Sequence, residues 1–358
     1  MVYKGASIRH LTYPFKQSPF TLSVTIYDIA KEAGVSIATV SRVFNNSNNV
    51  SEKARTNILT IAKRMGYHPQ AMAQGLARKK SKLISVVVPV ISNHFFMEVL
   101  EGIQDEIAAT DYDLNIYNIK LSDNIFEQVE NSIKRGMAEG YLIISVHLLE
   151  KQWKSLKKLG TPLTVIDEYS TEFDSISVNS VLGGQLATEY LLENGYRRIA
   201  MISADTDSKP AHERLTGYKN ALRKYDIPVD ETLIANGSDP DRDGFTERNG
   251  YEAMMKLLKL DPLPDACFCN SDVQAIGAAK AMQDVNTHIP LIGFDDIQFS
   301  DFFGLSTMRQ PMRQMGELAV KKLLKRIEAP KTEISNTVFS PELVLRASTN
   351  QAAITKQP

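Results

Sequence analysis

Hydroxyl and guanidinium side chains recur at short spacing in residues 36–42, which read Ser-Ile-Ala-Thr-Val-Ser-Arg. A guanidinium can donate two hydrogen bonds to the N7 and O6 atoms of guanine, and serine or threonine hydroxyls can bind phosphate oxygens. On a helix, Val40 and Val43 would face inward. The outward side chains would be Ile37, Ala38, Thr39, Ser41 and Arg42. These residue types suit contact with nucleic acid.

Three short helices would position these side chains. Apolar residues recur at helical spacing in residues 25–33, and Gly34 tolerates the left-handed backbone that ends a helix. Ser36 can cap a second helix, and Ser51 can cap a third, longer one. Two short helices joined by a tight glycine turn form a helix-turn-helix, whose second helix fits the DNA major groove. A small helical bundle with a serine-rich surface is the alternative reading of the same pattern.

Charge is distributed unevenly along the chain, although the formal net charge of the 358 residues is only −1. Residues 24–82 contain ten Lys and Arg against three Asp and Glu, so the rest of the chain is acidic on balance. A basic segment joined to an acidic body is typical of a polyanion-binding module attached to a part with another role. Charge alone also fits a solvated surface, but together with the helix-turn-helix pattern it favours DNA binding.

From residue 83 onward, short apolar runs alternate with longer amphipathic segments. The runs predict strands at 83–90, 114–119, 141–146, 163–166, 199–203, 266–270 and 291–294. The amphipathic segments predict helices at 96–109, 125–138, 181–193, 213–225, 247–260, 273–284 and 312–328. This alternation predicts an α/β fold with parallel sheets covered by helices on both faces. The length favours two lobes, with a ligand cleft at the carboxyl ends of the strands.

Enzyme and metal chemistry find little support in the sequence. It has no Walker-type loop, no G-x-S-x-G elbow and no H-E-x-x-H motif, and Gly183-Gly184 lacks the full dinucleotide fingerprint. Cys267 and Cys269 lie in an apolar run, which predicts reduced core thiols. We predict no catalytic residues, no metal and no cofactor. Because no apolar run is long enough for a membrane span or a secretory signal, we expect a cytoplasmic protein.

Residues 26–43 read Ile-Tyr-Asp-Ile-Ala-Lys-Glu-Ala-Gly-Val-Ser-x-x-Thr-Val-Ser-Arg-Val. This stretch resembles the head motif of the lactose-repressor (LacI/GalR) family of bacterial transcription regulators, and the resemblance covers residues 24–349. It implies that Ile37, Ala38 and Arg42 read bases, and that a hinge helix folds on operator DNA. Leu76 matches the leucine that wedges into the minor groove. The predicted DNA-binding residues are Thr25, Tyr27, Ser36, Ile37, Ala38, Thr39, Ser41, Arg42, Asn45, Ala73 and Leu76.

The rest of the chain resembles the periplasmic sugar-binding fold that this family uses as its sensor. Asp167 ends a predicted strand, where a carboxylate can accept hydrogen bonds from ligand hydroxyls. Arg214 and Asp272 lie in motifs that the family uses for ligand binding, and Gln310 could line the hinge side of the cleft. Adjacent aromatics suit a sugar face but could equally belong to the lobe core. The predicted effector-binding residues are Asn93, Phe95, Phe96, Asp167, Arg214, Asp272 and Gln310.

The resemblance implies a homodimeric, allosteric repressor on the bacterial nucleoid. Its heads would bind a pseudo-palindromic operator, and a sugar or sugar derivative would control operator affinity. Two alternatives remain open: a regulator triggered by a phosphorylated carrier protein as corepressor, and a sugar-binding module without regulatory DNA contact. The predicted segments are an extension at 1–23 that we expect to be disordered, a DNA-binding domain at 24–67, a hinge helix and linker at 68–82, a ligand-binding and dimerisation domain at 83–349, and a tail at 350–358.

Overall fold

The computed structural model describes residues 24–44, 49–67, 81–89, 94–120, 124–204, 208–237 and 244–349. The chain divides into two compact units, Met1–Ser81 and Lys82–Pro358. The expectations for the extension, the hinge helix and the tail therefore concern segments outside the described residues. Within the described residues, no helix is both long and apolar enough to cross a membrane.

Three helices form the described part of the first unit: α1 (Ile26–Ala33), α2 (Ile37–Phe44) and α3 (Glu52–Met65). Thr25 caps α1, because its backbone N–H donates to the Asp28 carboxylate at 2.8 Å while its hydroxyl oxygen accepts from the Asp28 N–H at 3.4 Å. Gly34, with φ of 65°, ends the helix. Ser36 then caps α2 by accepting from the Thr39 N–H at 3.2 Å. The predicted helix-turn-helix is thus present in the structure.

A small apolar core holds these helices together. Its buried members are Ile29, Ala30, Val40, Val43, Ile58, Ile61 and Ala62. Arg55 of α3 donates to the carbonyl oxygen of Val43 at 3.4 Å and so ties α3 to the end of α2. Because α1 and α3 cover the valine face of α2, its opposite face is left for solvent.

The second unit alternates strands and helices. Its strands are β1 (Leu83–Val88), β2 (Asp113–Asn118), β3 (Gly140–Ile144), β4 (Leu163–Ile166), β5 (Asp174–Val178), β6 (Ile199–Ile202), β7 (Ile234–Ala235), β8 (Ala266–Cys269), β9 (Leu291–Asp295), β10 (Ser306–Arg309), β11 (Asn336–Phe339) and β12 (Glu342–Val344). Its helices are α4 (His94–Ala108), α5 (Ile125–Lys134), α6 (Glu150–Lys157), α7 (Ser180–Glu193), α8 (Lys209–Lys224), α9 (Glu247–Leu257), α10 (Asp272–Asp284), α11 (Gln298–Phe302) and α12 (Met312–Glu328).

These strands form two six-stranded sheets, which define two lobes. The first lobe has the order β11-β5-β4-β3-β1-β2, and the second lobe has β12-β10-β9-β8-β6-β7. All pairings are parallel except the antiparallel pair of β10 with β12. The chain crosses between the lobes three times: after β5, after β10 and between β11 and β12. The predicted α/β fold with two parallel-sheet lobes is confirmed.

The sequence-based prediction missed several short strands and helices, and β5 shows why. This strand reads Asp-Ser-Ile-Ser-Val yet is buried throughout, so its composition hides its position. Arg326 of α12 makes this burial possible, since it donates to both carboxylate oxygens of Asp174 at 2.9 Å. The other missed elements are α6, α11, β7, β10, β11 and β12, all of which are short.

Three helix pairs pack through reciprocal glycines. In each pair, a Cβ atom added to either glycine would lie between 1.9 and 2.2 Å from a backbone carbonyl oxygen of the partner helix. The pairs are Gly102 of α4 with Gly316 of α12, Gly184 of α7 with Gly217 of α8, and Gly250 of α9 with Gly277 of α10. No side chain fits at these positions, so the glycines fix how closely the helices approach each other.

The substitution Gly277→Ala tests this constraint. A methyl group there would lie 1.9 Å from the carbonyl oxygen of Glu247, so we expect the free energy of unfolding to fall by about 1–3 kcal/mol. At an exposed helix position the same change stabilises by about 0.5–1 kcal/mol. Urea unfolding measures the sign, and Ala279→Gly on the exposed face of the same helix gives the helix-propensity effect alone. A stabilised Gly277→Ala variant would contradict the close approach.

Candidate functional site

The exposed face of α2 carries most of the predicted base-reading residues. Ile37 is 42% exposed, and Ala38 and Arg42 are also exposed. On α1, Tyr27 is 66% exposed. Thr39 and Ser41 are half-buried at the edge of this face. The predicted contacts Asn45, Ala73 and Leu76 lie outside the described residues. Within the described part, the structure thus leaves an apolar and guanidinium surface on the second helix of the helix-turn-helix.

The hydroxyl groups near this surface are engaged in helix caps. Thr25 donates its hydroxyl to the Asp28 carboxylate at 2.7 Å, and these bonds hold the pKa of Asp28 below its usual range. The hydroxyls of Ser36 and Thr39 lie 2.9 Å apart and bond to each other. These three residues therefore set where the helices begin, and Arg42 is the charged donor on the outward face of α2.

A second candidate site centres on Arg214, which is only 3% exposed at the amino-terminal half of α8. Its Nη1 atom donates to the Asn270 carbonyl oxygen at 2.5 Å and lies 3.8 Å from the Asp295 carboxylate. The guanidinium carbon lies 3.6 Å from the ring centroid of Phe294 and 6.0 Å from that of Phe245. One buried cation is thus held by a carbonyl, a carboxylate and aromatic faces.

Two adjacent glycines of α7 create the space for this arrangement. A Cβ atom at Gly183 would lie 2.5 Å from the Phe294 ring, and one at Gly184 would lie 2.2 Å from the Arg214 carbonyl oxygen. The Gly-Gly pair therefore serves packing around the site, which explains its presence without any dinucleotide fingerprint.

Several buried polar atoms beside Arg214 have no hydrogen-bond partner among the described residues. They are Arg214 Nε, Asn270 Nδ2, Asn270 Oδ1 and Gln310 Oε1. Gln310 reaches this group because its Nε2 atom donates to Asp295 at 2.5 Å. Buried polar atoms are nearly always paired in native proteins, so a cluster of unpaired atoms points to a missing partner. The mixture of donors and acceptors suits a ligand that carries hydroxyl groups.

The first lobe contributes Asp167, just beyond the end of β4. Its carboxylate accepts from the Ser145 hydroxyl at 2.6 Å, and its charge interacts with Arg214 of the other lobe. Burial raises the pKa of Asp167, while the Ser145 bond and Arg214 lower it. Ser145 and Asp167 have φ of 49° and 66°, and Asp295 has φ of 118°. Left-handed backbone at non-glycine residues is strained, and here it occurs at three strand ends, two of which carry the aspartates that interact with Arg214.

Comparisons with known proteins bear on both sites. The model described as bacterial regulatory proteins, lacI family, matches residues 25–70, and a periplasmic binding protein-like domain matches residues 188–349. The chain is 31% identical to catabolite control protein A of Priestia megaterium over 337 residues, covering 92% of this chain and all of the relative. It is 33% identical to the ribose operon repressor of Haemophilus influenzae over 332 residues, covering 90% and 98%. The chain belongs to the lacI family.

Solved structures agree with the assignment to the lacI family. The lac repressor dimer bound to operator and the anti-inducer ONPF has a TM-score of 0.78 at 25% identity, covering 91% of this chain and 99% of that one. A complex of the transcriptional regulator CelR with cellobiose has a TM-score of 0.67 at 26% identity, with the same coverage. This lacI-family protein is a DNA-binding transcriptional regulator and not an enzyme.

In this lacI-family chain, the surroundings of Asp272 do not fit its predicted role in effector binding. Its side chain is fully buried, and its carboxylate accepts from the Ile297 N–H at 3.0 Å and from the Ser300 and Thr307 hydroxyls at 2.6 Å. Burial raises its pKa to about 7 despite these donors. Because three donors of its own lobe occupy the carboxylate, Asp272 braces the second lobe, and its assignment to effector contact is corrected.

The two predicted aromatic residues belong to an apolar core. Phe95 and Phe96 are 8% and 7% exposed, and their rings meet edge-to-face at 5.5 Å. The same cluster contains Val273 and Ile297 of the second lobe, so these rings join the lobes. The structure thus favours the core interpretation that the sequence left open, and Asn93 lies outside the described residues.

Sequence reasoning missed three residues that contact or neighbour Arg214: Asn270, Phe294 and Asp295. Asn270 directly follows β8, and Asp295 is the last residue of β9, just as Asp167 directly follows β4. The rule that ligand groups sit at the carboxyl ends of parallel strands applies to them equally. Applied to every predicted strand, it would have selected both. The family motif instead led to the prediction of Asp272, which lies two residues after Asn270.

Two substitutions distinguish the structural role of Asp272 from the role of Asp295 in the cleft. Asp272→Ala leaves three buried donors without an acceptor, so we expect it to lower the free energy of unfolding by about 2–4 kcal/mol. Asp295→Asn keeps an oxygen for Gln310, and Asp167 still offers a charge to Arg214, so this change should cost less than about 1.5 kcal/mol. Urea unfolding of both variants beside the wild type measures the difference. Equal losses would show that the two aspartates have the same structural role.

Proposed function

We propose that this protein represses transcription by binding a pseudo-palindromic operator as a homodimer, with α2 of each head in a major groove. A small, sugar-like effector in the cleft at Arg214 controls operator affinity allosterically. The protein works in the bacterial cytoplasm, on the nucleoid. The exposed base-reading face of α2 carries the DNA part of this proposal, and the unpaired polar atoms around Arg214 carry the effector part.

The chemistry of the α2 face supports sequence-specific binding. Arg42 can donate two hydrogen bonds to guanine, while Ile37 and Ala38 offer apolar contacts that suit thymine methyl groups. The basic balance of residues 24–82 supplies phosphate attraction that does not depend on sequence. The lac repressor dimer in its operator-bound structure shares this fold over 91% of the chain, which supports a dimeric mode of binding.

The cleft supports a small-molecule effector with several hydroxyl groups. Arg214, Asn270 and Gln310 offer unpaired buried atoms, and Asp167 and Asp295 offer carboxylates from different lobes. Charge-assisted hydrogen bonds from vicinal hydroxyls would satisfy both kinds of group. Among the relatives, one is named for the ribose operon and another was solved with cellobiose. A sugar or sugar derivative is the ligand class that fits both observations.

Binding across the lobes would couple the cleft to DNA affinity. A ligand that bonds to Arg214 of the second lobe and Asp167 of the first lobe favours one relative orientation of the lobes. The coupling is reciprocal, and a typical coupling of about 1–3 kcal/mol changes operator affinity roughly 5- to 150-fold.

Arg42→Ala tests the DNA part. Removing a bidentate guanine contact should weaken binding to an operator selected from random duplexes by about 1–3 kcal/mol and relax the base preference at one position of each half-site. Fluorescence anisotropy on selected and scrambled duplexes measures both effects. The control is Arg64→Ala, which removes the same charge from α3, where Arg64 is ion-paired with Glu32. Unchanged affinity and preference in Arg42→Ala would refute the assignment.

Asn270→Ala tests the effector part. Since the Asn270 side chain makes no hydrogen bond within the described part of the chain, its removal should leave stability within about 1 kcal/mol of wild type. Effector affinity should fall roughly tenfold, because a hydrogen-bonding partner of the ligand is lost. Operator release during sugar titration measures the response, and Asn194→Ala outside the cleft is the control. A variant that loses stability but keeps the full response would mean that Asn270 is structural.

A regulator indifferent to every small molecule would contradict the effector proposal. It would then favour the alternative in which a phosphorylated carrier protein acts as the trigger. Operator affinity measured with and without a sugar panel separates these two mechanisms, because only the first predicts a change with sugar alone.

A further inference from the structure

We propose that Glu213 makes the effector cleft selective for uncharged ligands, so that phosphorylated or carboxylated sugars are excluded. This inference rests on the proposed function, and it names the chemical class of the effector together with a residue that determines it. The observations that carry it are a pocket rich in carboxylates, ion pairs at its cations, and a carboxylate at Glu213 that has no partner among the described residues.

The pocket lies between the first lobe and the start of α8, and its volume is about 190 Å³. Three carboxylates line it, from Asp167, Glu168 and Glu213, against the single lysine Lys209. Asp167 lines this pocket and its charge also interacts with Arg214, so the pocket lies beside the buried guanidinium. Around Arg214 itself, Asp295 adds another carboxyl group. Among the described residues, acids therefore outnumber bases in the cleft.

The bases of this region are already paired with protein groups. Lys209 Nζ lies 3.6 Å from Glu168, and His147 Nδ1 lies 3.3 Å from the same carboxylate. Arg214 bonds to the Asn270 carbonyl oxygen and lies 3.8 Å from Asp295. A phosphate group at Lys209 or His147 would have to displace Glu168, and one at the Nε atom of Arg214 would lie near the Asp295 carboxylate.

Glu213 differs from the other carboxylates because no hydrogen bond or ion pair reaches it from the described residues. Burial raises its pKa, Lys209 lowers it, and the charge of Asp167 raises it again. Its side chain is half-buried and shares the pocket lining with Asp167 and Glu168. The charges of Asp167 and Glu213 in one pocket repel a further anion, and both carboxylates can accept hydrogen bonds from neutral hydroxyls.

The amino terminus of α8 is a feature of this pocket that would attract an anion. A helix amino terminus carries a partial positive charge and free N–H groups. In this helix Pro210 lacks an N–H, and Lys209 is turned toward Glu168. Glu213 lies one turn along the same helix and opposes the remaining attraction. The charges at this end of α8 therefore disfavour the binding of an anion there.

The test compares matched neutral and phosphorylated probes on the full chain. Glucose and glucose 6-phosphate, ribose and ribose 5-phosphate, and glucosamine are titrated by calorimetry, with operator release as a second readout. We expect each phosphate to bind roughly 10- to 100-fold more weakly than its neutral counterpart. In Glu213→Gln, which keeps size and hydrogen bonding, this ratio should shrink toward one. The control Glu333→Gln removes an exposed charge elsewhere and should leave the ratio unchanged.

Each outcome decides the matter. A neutral sugar that binds better than its phosphate, with a smaller ratio in Glu213→Gln alone, supports the proposal. A phosphorylated sugar that binds as well as its neutral counterpart overturns the charge selectivity but leaves the sensing function standing. A ratio unaffected by Glu213→Gln overturns the role of that residue. Failure of every probe, neutral or charged, to bind or to release operator overturns the proposed sensing function and this inference together.

Discussion

The buried guanidinium of Arg214 is the interaction around which the sensor is organised. An isolated cation in an apolar interior is costly, so it must be met by partners whose positions are fixed. Those partners come from the ends of β8 and β9, from the ring of Phe294 and, across the cleft, from Asp167. The pairing is incomplete, since Arg214 Nε and the Asn270 amide lack partners in the portion of the chain that the structure describes. A site that is well packed and yet polar and unpaired is prepared for a ligand.

Close contacts between helices at glycines hold the residues around Arg214 in fixed positions. Gly184 brings α7 against the backbone of Arg214, and Gly183 makes room for the ring on which the guanidinium stacks. In the same way, two glycines bring α9 and α10 into close contact next to Gln274, whose side chain bonds to Ser203, Gly244 and Asn249. Close backbone contact leaves little freedom for the helices to shift individually. Each lobe can therefore move as a rigid body, which is what a closing cleft requires.

Much of the fold could be predicted from the sequence, because periodicity and caps are local signals. Ser36, Ser51 and Gly34 marked helix boundaries that the structure contains, and the apolar runs marked the central strands. Elements stabilised by distant partners could not be found this way: β5 depends on Arg326, 152 residues away. The site shows the same limit. Arg214 and Gln310 lie together in the structure, whereas the roles of Asp272 and Asp295 depend on which donors surround each carboxylate.

The three crossings between the lobes have a consequence for biosynthesis. Helix α12 packs against β3, β4 and β5, and β11 pairs with β5, yet both follow the second lobe in the chain. On the ribosome, the first five strands emerge long before the helix that covers them and the strand that seals their edge. An unfinished sheet with an open edge is prone to aggregation. The nascent chain must therefore protect this half-built sheet until the second lobe has been synthesised, because truncation before residue 312 would leave the first lobe without α12 and β11.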